Sequence, residues 1–382
     1  MAFYLAIKEI LRNRGRFLLF SLVIALITVL VLFIAALAQG LAEANKEYLE
    51  KLDAELIVFQ ENVDLSTAAS RIPRDKLNDI RRIEGVAEIG PIGFATATIV
   101  QDDMSALLDV SLIGVEPGKP GMPPVFEGLP LRSPRAYQTI IDGNVAAQTG
   151  IKVGDRIRIK TIVGSDEKVH TLEVIGITDG RQFFYAPSIF VPFNTWDSIK
   201  PQPNQNGRPI EGIANVVAVR LEPGQAPQIV AERIQNRVSN VEVVDRKTAY
   251  EASPGYQAQQ GTLNTQRGFT LLIGVLVIGG FFQIQTLQKV PQIGVLKAIG
   301  ASNHSIAVAV VLQIILVTLI GVAIGSFGTF LLTQFLPAGI PILLSGTTAL
   351  IAIATLLLIG PIGGMVSVRL ALKVEPLAAL GM

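Results

Sequence analysis

The sequence predicts an α-helical membrane protein with four transmembrane helices and an α+β extracytoplasmic domain inserted between the first two. Three observations lead there. Residues 17–38, 268–287, 305–332 and 347–368 are apolar and uncharged, and each is near the ~20 residues that cross a bilayer as a helix. Of the chain's 32 Lys+Arg and 31 Asp+Glu, 8 and 2 lie outside residues 40–267. A mildly acidic stretch of soluble character therefore separates the first apolar run from the other three. The charged fraction of the whole chain is 16%, against ~25% in soluble domains.

Residues 1–16 place Phe3, Ala6, Ile7, Ile10 and Leu11 at helical spacing among Lys8, Arg12, Arg14 and Arg16. This reads as a cytoplasmic amphipathic helix in the lipid headgroup layer. A cleavable leader ending at Ala36-Leu37-Ala38 competes with a first span. The apolar run is longer than the about 7–15 residues of a leader, and cleavage would leave three spans with termini on opposite sides. Residues 17–52 are read as transmembrane helix 1 continuing into a water-exposed stalk.

Residues 53–250 read as the extracytoplasmic α+β domain. Strands are expected at 55–60, 86–89, 94–100, 110–115, 169–177, 188–191, 216–221 and 241–244 from their β-branched content. Helices are expected at 74–83 and 225–238. Residues 139–159 read strand, helix, turn, strand, with Gly150 as helix C-cap. The six prolines of 117–134 predict a loop, as does the polar stretch 201–209.

Residues 251–288 are read as a polar stalk, broken at Pro254-Gly255 and Gly261, leading into transmembrane helix 2. Transmembrane helices 3 and 4 are 305–332 and 347–368, joined by a short external loop, 333–346. Residues 369–382 form the C-terminus. Lys289, Lys297, Arg369 and Lys373 fall on the same side as the N-terminal basic residues, so both termini are expected in the cytoplasm and the domain outside.

Between the second and third spans lies a cytoplasmic coupling segment, 289–304. Its stretch KVPQIGVLKAIGAS holds two lysines and no acid. It is expected to form one or two turns of helix, a basic and partly apolar plug on which a soluble partner can push.

Several chemistries are missing from the sequence. There is no cysteine, and the two histidines, His170 and His304, are far apart. No phosphate-binding G-x-x-x-x-G-K-[ST] loop, no G-x-S-x-G and no H-E-x-x-H occurs. The spans hold no ionisable side chain. Proton-coupled carriers usually bury such groups at a midplane site. Energy for work on a substrate must then come from a partner, and nothing in the charge pattern points to nucleic acid. Gln283, Gln285, Gln313, Thr318 and Ser367 are read as interhelical hydrogen-bonding groups. Gly321-x-x-x-Gly325, Gly279-Gly280 and Gly363-Gly364 are read as close-packing positions, within the chain or across a dimer.

The run Ile293-Gly294-Val295-Leu296-Lys297-Ala298-Ile299-Gly300-Ala301 resembles the E-I-G-x-L-[RK]-A-[LI]-G-A pattern between spans two and three of the FtsX/macrolide-exporter (MacB-like) family of ABC transporter permeases. Ile140-Ile141-Asp142-Gly143 through Gly154-Asp155 is similar to that family's external domain, and Val374-Glu375-Pro376-Leu377-Ala378-Ala379-Leu380 to its C-terminal ending. The chain departs from the pattern at Gln292, where the family often has Glu, after Pro291. The resemblance implies an ABC ATPase on a separate chain, which holds the ATP and Mg, and a second permease copy in a dimer. An adaptor or other external protein is a further partner it allows, and membrane lipid surrounds the spans. It implies ATPase-coupling roles for Lys289, Pro291, Gln292, Ile293, Gly294, Leu296, Lys297, Gly300, Ala301 and Ser302, and no catalytic residue on this chain. The expected function is ATP-driven motion of the external domain for efflux of an amphipathic or hydrophobic compound. The alternative is a signalling permease that activates an external wall hydrolase without transport.

Overall fold

The computed structural model describes residues 8, 12 and 14–373, apart from 101–104, 164–165, 184, 202–211, 253–255 and 336–341. Most of the N-terminal amphipathic segment, the polar loop 201–209, part of the loop 333–346 and the Val374–Leu380 ending therefore lie outside the described residues, as does the side chain of Ser367. The chain divides into two compact units, Leu41–Gln259 and the pair Met1–Gly40 with Gln260–Met382. The divisions fall inside helices α1 (Arg14–Glu50) and α7 (Tyr256–Gln288).

The unit Leu41–Gln259 is built on a ten-stranded sheet. Its strands are β1 (Leu56–Gln60), β2 (Val86–Val100), β3 (Ala106–Val115), β4 (Glu127–Gly128), β5 (Gln138–Ile141), β6 (Arg156–Val163), β7 (Asp166–Ile177), β8 (Ser188–Pro192), β9 (Val216–Leu221) and β10 (Val241–Asp245). Their order is β10-β1-β9-β2-β3-β8-β5-β7-β4, with β6 pairing β2 and β7. Helices α2 (Arg74–Arg81), α3 (Gly143–Thr149), α4 (Phe193–Ile199), α5 (Pro227–Arg237) and α6 (Arg246–Glu251) complete it.

Both faces of this sheet are covered, which explains the unbroken apolar run of β1. Successive side chains in a strand point to opposite faces. Leu56 and Val58 join one buried cluster with α2 and α5, through Ile80 and Val230. Ile57 and Phe59 join another with Tyr48 and Leu49 of α1 and with Leu52 just beyond it.

Two expected strands, 86–89 and 94–100, are one strand, β2. Gly90, Pro91 and Gly93 look like a break in sequence. Gly93 instead faces Gly114 across the β2–β3 ladder, and a Cβ on either would lie 2.5 Å from Trp196. These glycines make room for a buried indole. The proline-rich loop contributes β4, a two-residue edge strand on β7. The expected break at Gly261 is also absent, because α7 runs through it. One glycine costs a helix only ~1 kcal/mol.

In the other unit, α1, α7, α8 (Val290–Ala298), α9 (Asn303–Phe335) and α10 (Gly346–Lys373) follow in order. Among the described residues three helical stretches are long and apolar enough to cross a membrane: Arg14–Ala44, Gln260–Gln288 and Asn303–Phe335. Within α10 the apolar stretch is shorter, Ala349–Met365. Glycines set the helix contacts. A Cβ at Gly321 or Gly325 would meet Ile24 or Thr28 of α1, and one at Gly279 would lie 2.7 Å from the Gly363 carbonyl of α10. Phe17, Ile24, Ile278, Phe282, Ile314, Val317 and Leu356 fill the space between.

Candidate functional site

The segment 289–304 folds as α8 followed by a defined stop and restart. Pro291 sits in the first turn, where its missing N–H costs nothing. At the far end Gly300 has φ +98°, a left-handed conformation that favours glycine. Its N–H donates to the Lys297 carbonyl at 3.0 Å, and the Ala301 N–H donates to the Leu296 carbonyl at 3.0 Å. These two bonds make a Schellman stop. Ser302 then accepts the Ser305 N–H on its hydroxyl at 3.2 Å, which caps the first turn of α9. The sequence Ile299-Gly300-Ala301-Ser302 is thus one helix's end written against the next one's start.

α8 has two unlike faces. Ile293 and Gly294 are buried, and Ile293 packs on Ile306 of α9 beside Ala301. Gln292, Val295, Leu296 and Ile299 stand at i, i+3, i+4 and i+7, one face of a helix, and all four are exposed, Ile299 at 79%. Pro291, Gly300 and Ser302 are exposed as well. Sequence reasoning named Gln292 and Leu296 but missed Val295 and Ile299. Their i+3 and i+7 spacing from Gln292 is the signal that would have found them.

Both lysines turn inward. Lys289 donates from Nζ to Gln313 Oε1 on α9 at 3.1 Å and lies 5.6 Å from the centre of the Phe17 ring on α1. Lys297 donates from Nζ to the Leu372 carbonyl in the last turn of α10 at 2.7 Å. Gln313 is therefore the interhelical hydrogen-bonding group expected of it. Thr318 and the amide of Gln285 are buried with no hydrogen-bond partner among the described residues, and Gln283 is exposed.

In the unit Leu41–Gln259, the end of α1 is fastened to the segment after β7. Lys51 donates from Nζ to Glu47 at 2.8 Å, to Asp179 at 3.2 Å and to the Gly180 carbonyl at 2.7 Å. Arg181, 7% exposed, donates to Asp179 at 2.8 Å and to the Lys51 carbonyl at 2.7 Å. Burial raises the Asp179 carboxyl, but Arg181 and Lys51 outweigh it and hold that group below the usual carboxylate range. Close by in the chain, Lys46 lies 5.4 Å from the Tyr250 ring centre, and Tyr250 meets Tyr256 edge-on at 6.1 Å. Tyr185, at φ +64°, donates its N–H to the Ala44 carbonyl at 3.2 Å. Burial pushes all three tyrosine hydroxyls up.

Asp142 caps α3. Its Oδ1 accepts the Asn144 and Val145 N–H groups at 2.8 and 2.9 Å, and its Oδ2 accepts the Ser188 N–H at 2.8 Å. Burial pushes its carboxyl up to about 6 against the three backbone donors.

Comparison with known proteins agrees with this architecture. A family model for the MacB-like periplasmic core domain matches residues 17–237, and one for the FtsX-like permease C-terminal region matches residues 268–376. A chain of Staphylococcus haemolyticus that bears the name of a hemin transport system permease protein, HrtB, is 29% identical over 99% of both chains. One of the same name from Staphylococcus epidermidis is 25% identical over 99% of both. The solved periplasmic region of MacB from Actinobacillus actinomycetemcomitans is 11% identical, covers 53% of this chain and 94% of its own length, and has a TM-score of 0.38. The family implies an ATPase partner subunit. By the two family models the chain belongs to the FtsX/MacB-like family of ABC transporter permeases, membrane proteins with an extracellular domain.

Proposed function

We propose that this permease is driven by an ABC ATPase on a separate chain that docks on the exposed face of α8, and that it exports an amphipathic or hydrophobic compound. The observation that carries the docking is the exposed stripe Gln292, Val295, Leu296 and Ile299. An exposed isoleucine at the end of a nine-residue helix is costly in water, and burying it is worth roughly 1.5–3 kcal/mol. Gln292 meets the partner through a neutral hydrogen bond where relatives of the family pattern use an acid. Four spans, both termini in the cytoplasm, a dimer of permeases and an extracytoplasmic Leu41–Gln259 unit complete the reading. α1, unbroken from Arg14 to Glu50, carries motion outward, and the Lys51–Arg181 anchoring hands it to the sheet.

The names of the staphylococcal relatives favour a hemin-like cargo, planar and apolar with carboxylates. Tyr185, Tyr250 and Tyr256 offer aromatic faces that suit the planar part of such a molecule, while the Lys46 ammonium beside them is already paired with Glu43 at 3.3 Å and Glu50 at 2.9 Å. The test is purification from native membranes. An ATP-hydrolysing subunit should accompany the wild-type chain and be lost from Ile299→Asp, and hemin should stimulate hydrolysis in lipid nanodiscs. A companion retained by Ile299→Asp and Val295→Asp alike speaks against docking on α8. Hydrolysis indifferent to hemin, with an external wall hydrolase as the partner, favours the signalling alternative.

A further inference from the structure

α8 is joined through the chain to α7 before it and α9 after it. α10 has no such link to α8. Among the described residues Lys297 reaches it: its ammonium donates to the Leu372 carbonyl at 2.7 Å in the final turn of α10. A cation is favoured at that position by the exposed carbonyls and the negative end of the helix.

α10 is also built to yield at one level. Pro361 lies inside it and has no N–H, so the Leu357 carbonyl loses its donor four residues on. Sharp bends in long helices concentrate at prolines and glycine pairs. Gly360, Gly363 and Gly364 surround this proline, and at them α10 comes close to its neighbours, beside the packing of Leu356 and Ile359. A Cβ at Gly360 would collide with Thr318 of α9, one at Gly364 with Ile314 of α9, and one at Gly363 would lie 2.8 Å from the Val275 carbonyl of α7. The helix is gripped and least stiff at the same height. From Gly363 to Leu372 the lower arm is ~13 Å long at ~1.5 Å per residue, so a ~2 Å shift of its end tilts it by roughly 9°.

We propose that Lys297 is the positioning residue that passes motion of α8 to α10, and that α10 pivots at Gly360–Gly364. The contact with the ATPase is then read by three spans rather than two. Lys297 faces into the permease and acts as a tether. The pivot half of this proposal rests on the docking reading above, and the tether half does not.

The chain's lack of cysteine permits clean spin labelling. A label at Arg369→Cys on the lower arm is compared with one at Leu358→Cys above the pivot, each paired with a label at Phe330→Cys on α9. In the permease alone, Lys297→Met should increase the mobility of the 369 label and leave the 358 label unchanged, and Lys297→Arg should restore it. An unchanged 369 label overturns the tether. In the complex with the copurifying ATPase, nucleotide trapping should shift the 330–369 distance by about 2 Å or more and the 330–358 distance by much less. Pro361→Ala and Lys297→Met should each cut the 369 shift by at least half while the ATPase stays bound. Equal shifts at both labels, or shifts untouched by either substitution, overturn the pivot. If no ATPase binds but the tether result holds, the docking reading and the pivot fall and the tether stands.

Discussion

Arg181 donates its Nη1 to the backbone carbonyl of Lys51 at 2.7 Å across 130 residues of sequence. The guanidinium is buried and holds Asp179 with its Nε. A hydrogen bond from a charged donor to a carbonyl that ends a helix is strong and directional. It fixes the last turn of α1 to the segment that connects β7 to β8.

Arg181→Met should therefore leave the Lys51 carbonyl without its charged donor and take the buried guanidinium from Asp179, which keeps Lys51 and Thr178 as donors. The expected loss is about 1–3 kcal/mol, read as faster hydrogen exchange in residues 47–53 and 178–183. Lys51→Met should cost under about 1 kcal/mol, because that ammonium is more than a third exposed and screened by water. An Arg181→Met protein with unchanged exchange in both segments contradicts this anchoring.

Asp142 gives a prediction in pH. Its folded carboxyl sits at about 6, above its value in the unfolded chain. A raised folded value means that the native state takes up a proton first as pH falls. The associated stability is fully present below about 4 and is lost as pH rises through about 6. Asp142→Asn cannot titrate, and its amide would aim N–H at the Ser188 N–H, a pH-independent cost of about 1–3 kcal/mol. Melting temperatures of the two proteins should thus differ most near pH 4, and the gap should narrow toward pH 7. A gap that widens with pH would show the carboxylate to be the favoured form.

The turn between α8 and α9 depends on Gly300. At φ +98° any L side chain is strained, and Gly300→Val should cost about 1–2 kcal/mol. The expected sign is loss of exchange protection at the Gly300 and Ala301 amides, with weaker ATPase binding. Ser302→Ala should show a smaller effect at Ser305, since it removes a cap worth roughly 1 kcal/mol.

Packing of α7 on α10 yields a matched pair of substitutions. A Cβ at Gly279 would lie 2.7 Å from the Gly363 carbonyl, whereas one at Gly280 meets nothing within 4 Å. Gly279→Leu should separate the helices and lower the detergent melting temperature by several degrees, an overpacking cost of about 1–3 kcal/mol. Gly280→Leu should leave the chain's own fold unchanged. Equal melting temperatures for the two variants would contradict the observed contact.

Much of this was legible in the sequence, for identifiable reasons. The apolar runs and the charge asymmetry declare the helices, because a bilayer tolerates few charges. One or two turns of helix were expected in 289–304, but the stop at Gly300 and the restart at Ser302 were not named, although each is a residue type with one strong local role. What stayed hidden depends on distance. Gly93 reads as a strand breaker until Trp196 is seen against it and Gly114. Arg181 and Lys51 carry no mark of each other. Lys297 lies in a run that resembles a coupling motif, and nothing local says whether its ammonium faces a partner or the Leu372 carbonyl.

The central claim is that the exposed face of α8 is where an ATPase takes hold, and Ile299→Cys in this cysteine-free chain tests it most directly. Cysteine-directed crosslinking in native membranes should join residue 299 to an ATP-hydrolysing subunit, with a yield that changes when nucleotide is trapped, while Leu358→Cys on α10 gives no such product. If residue 299 forms no crosslink to a subunit that nonetheless copurifies with the permease, the ATPase docks elsewhere and the account is wrong.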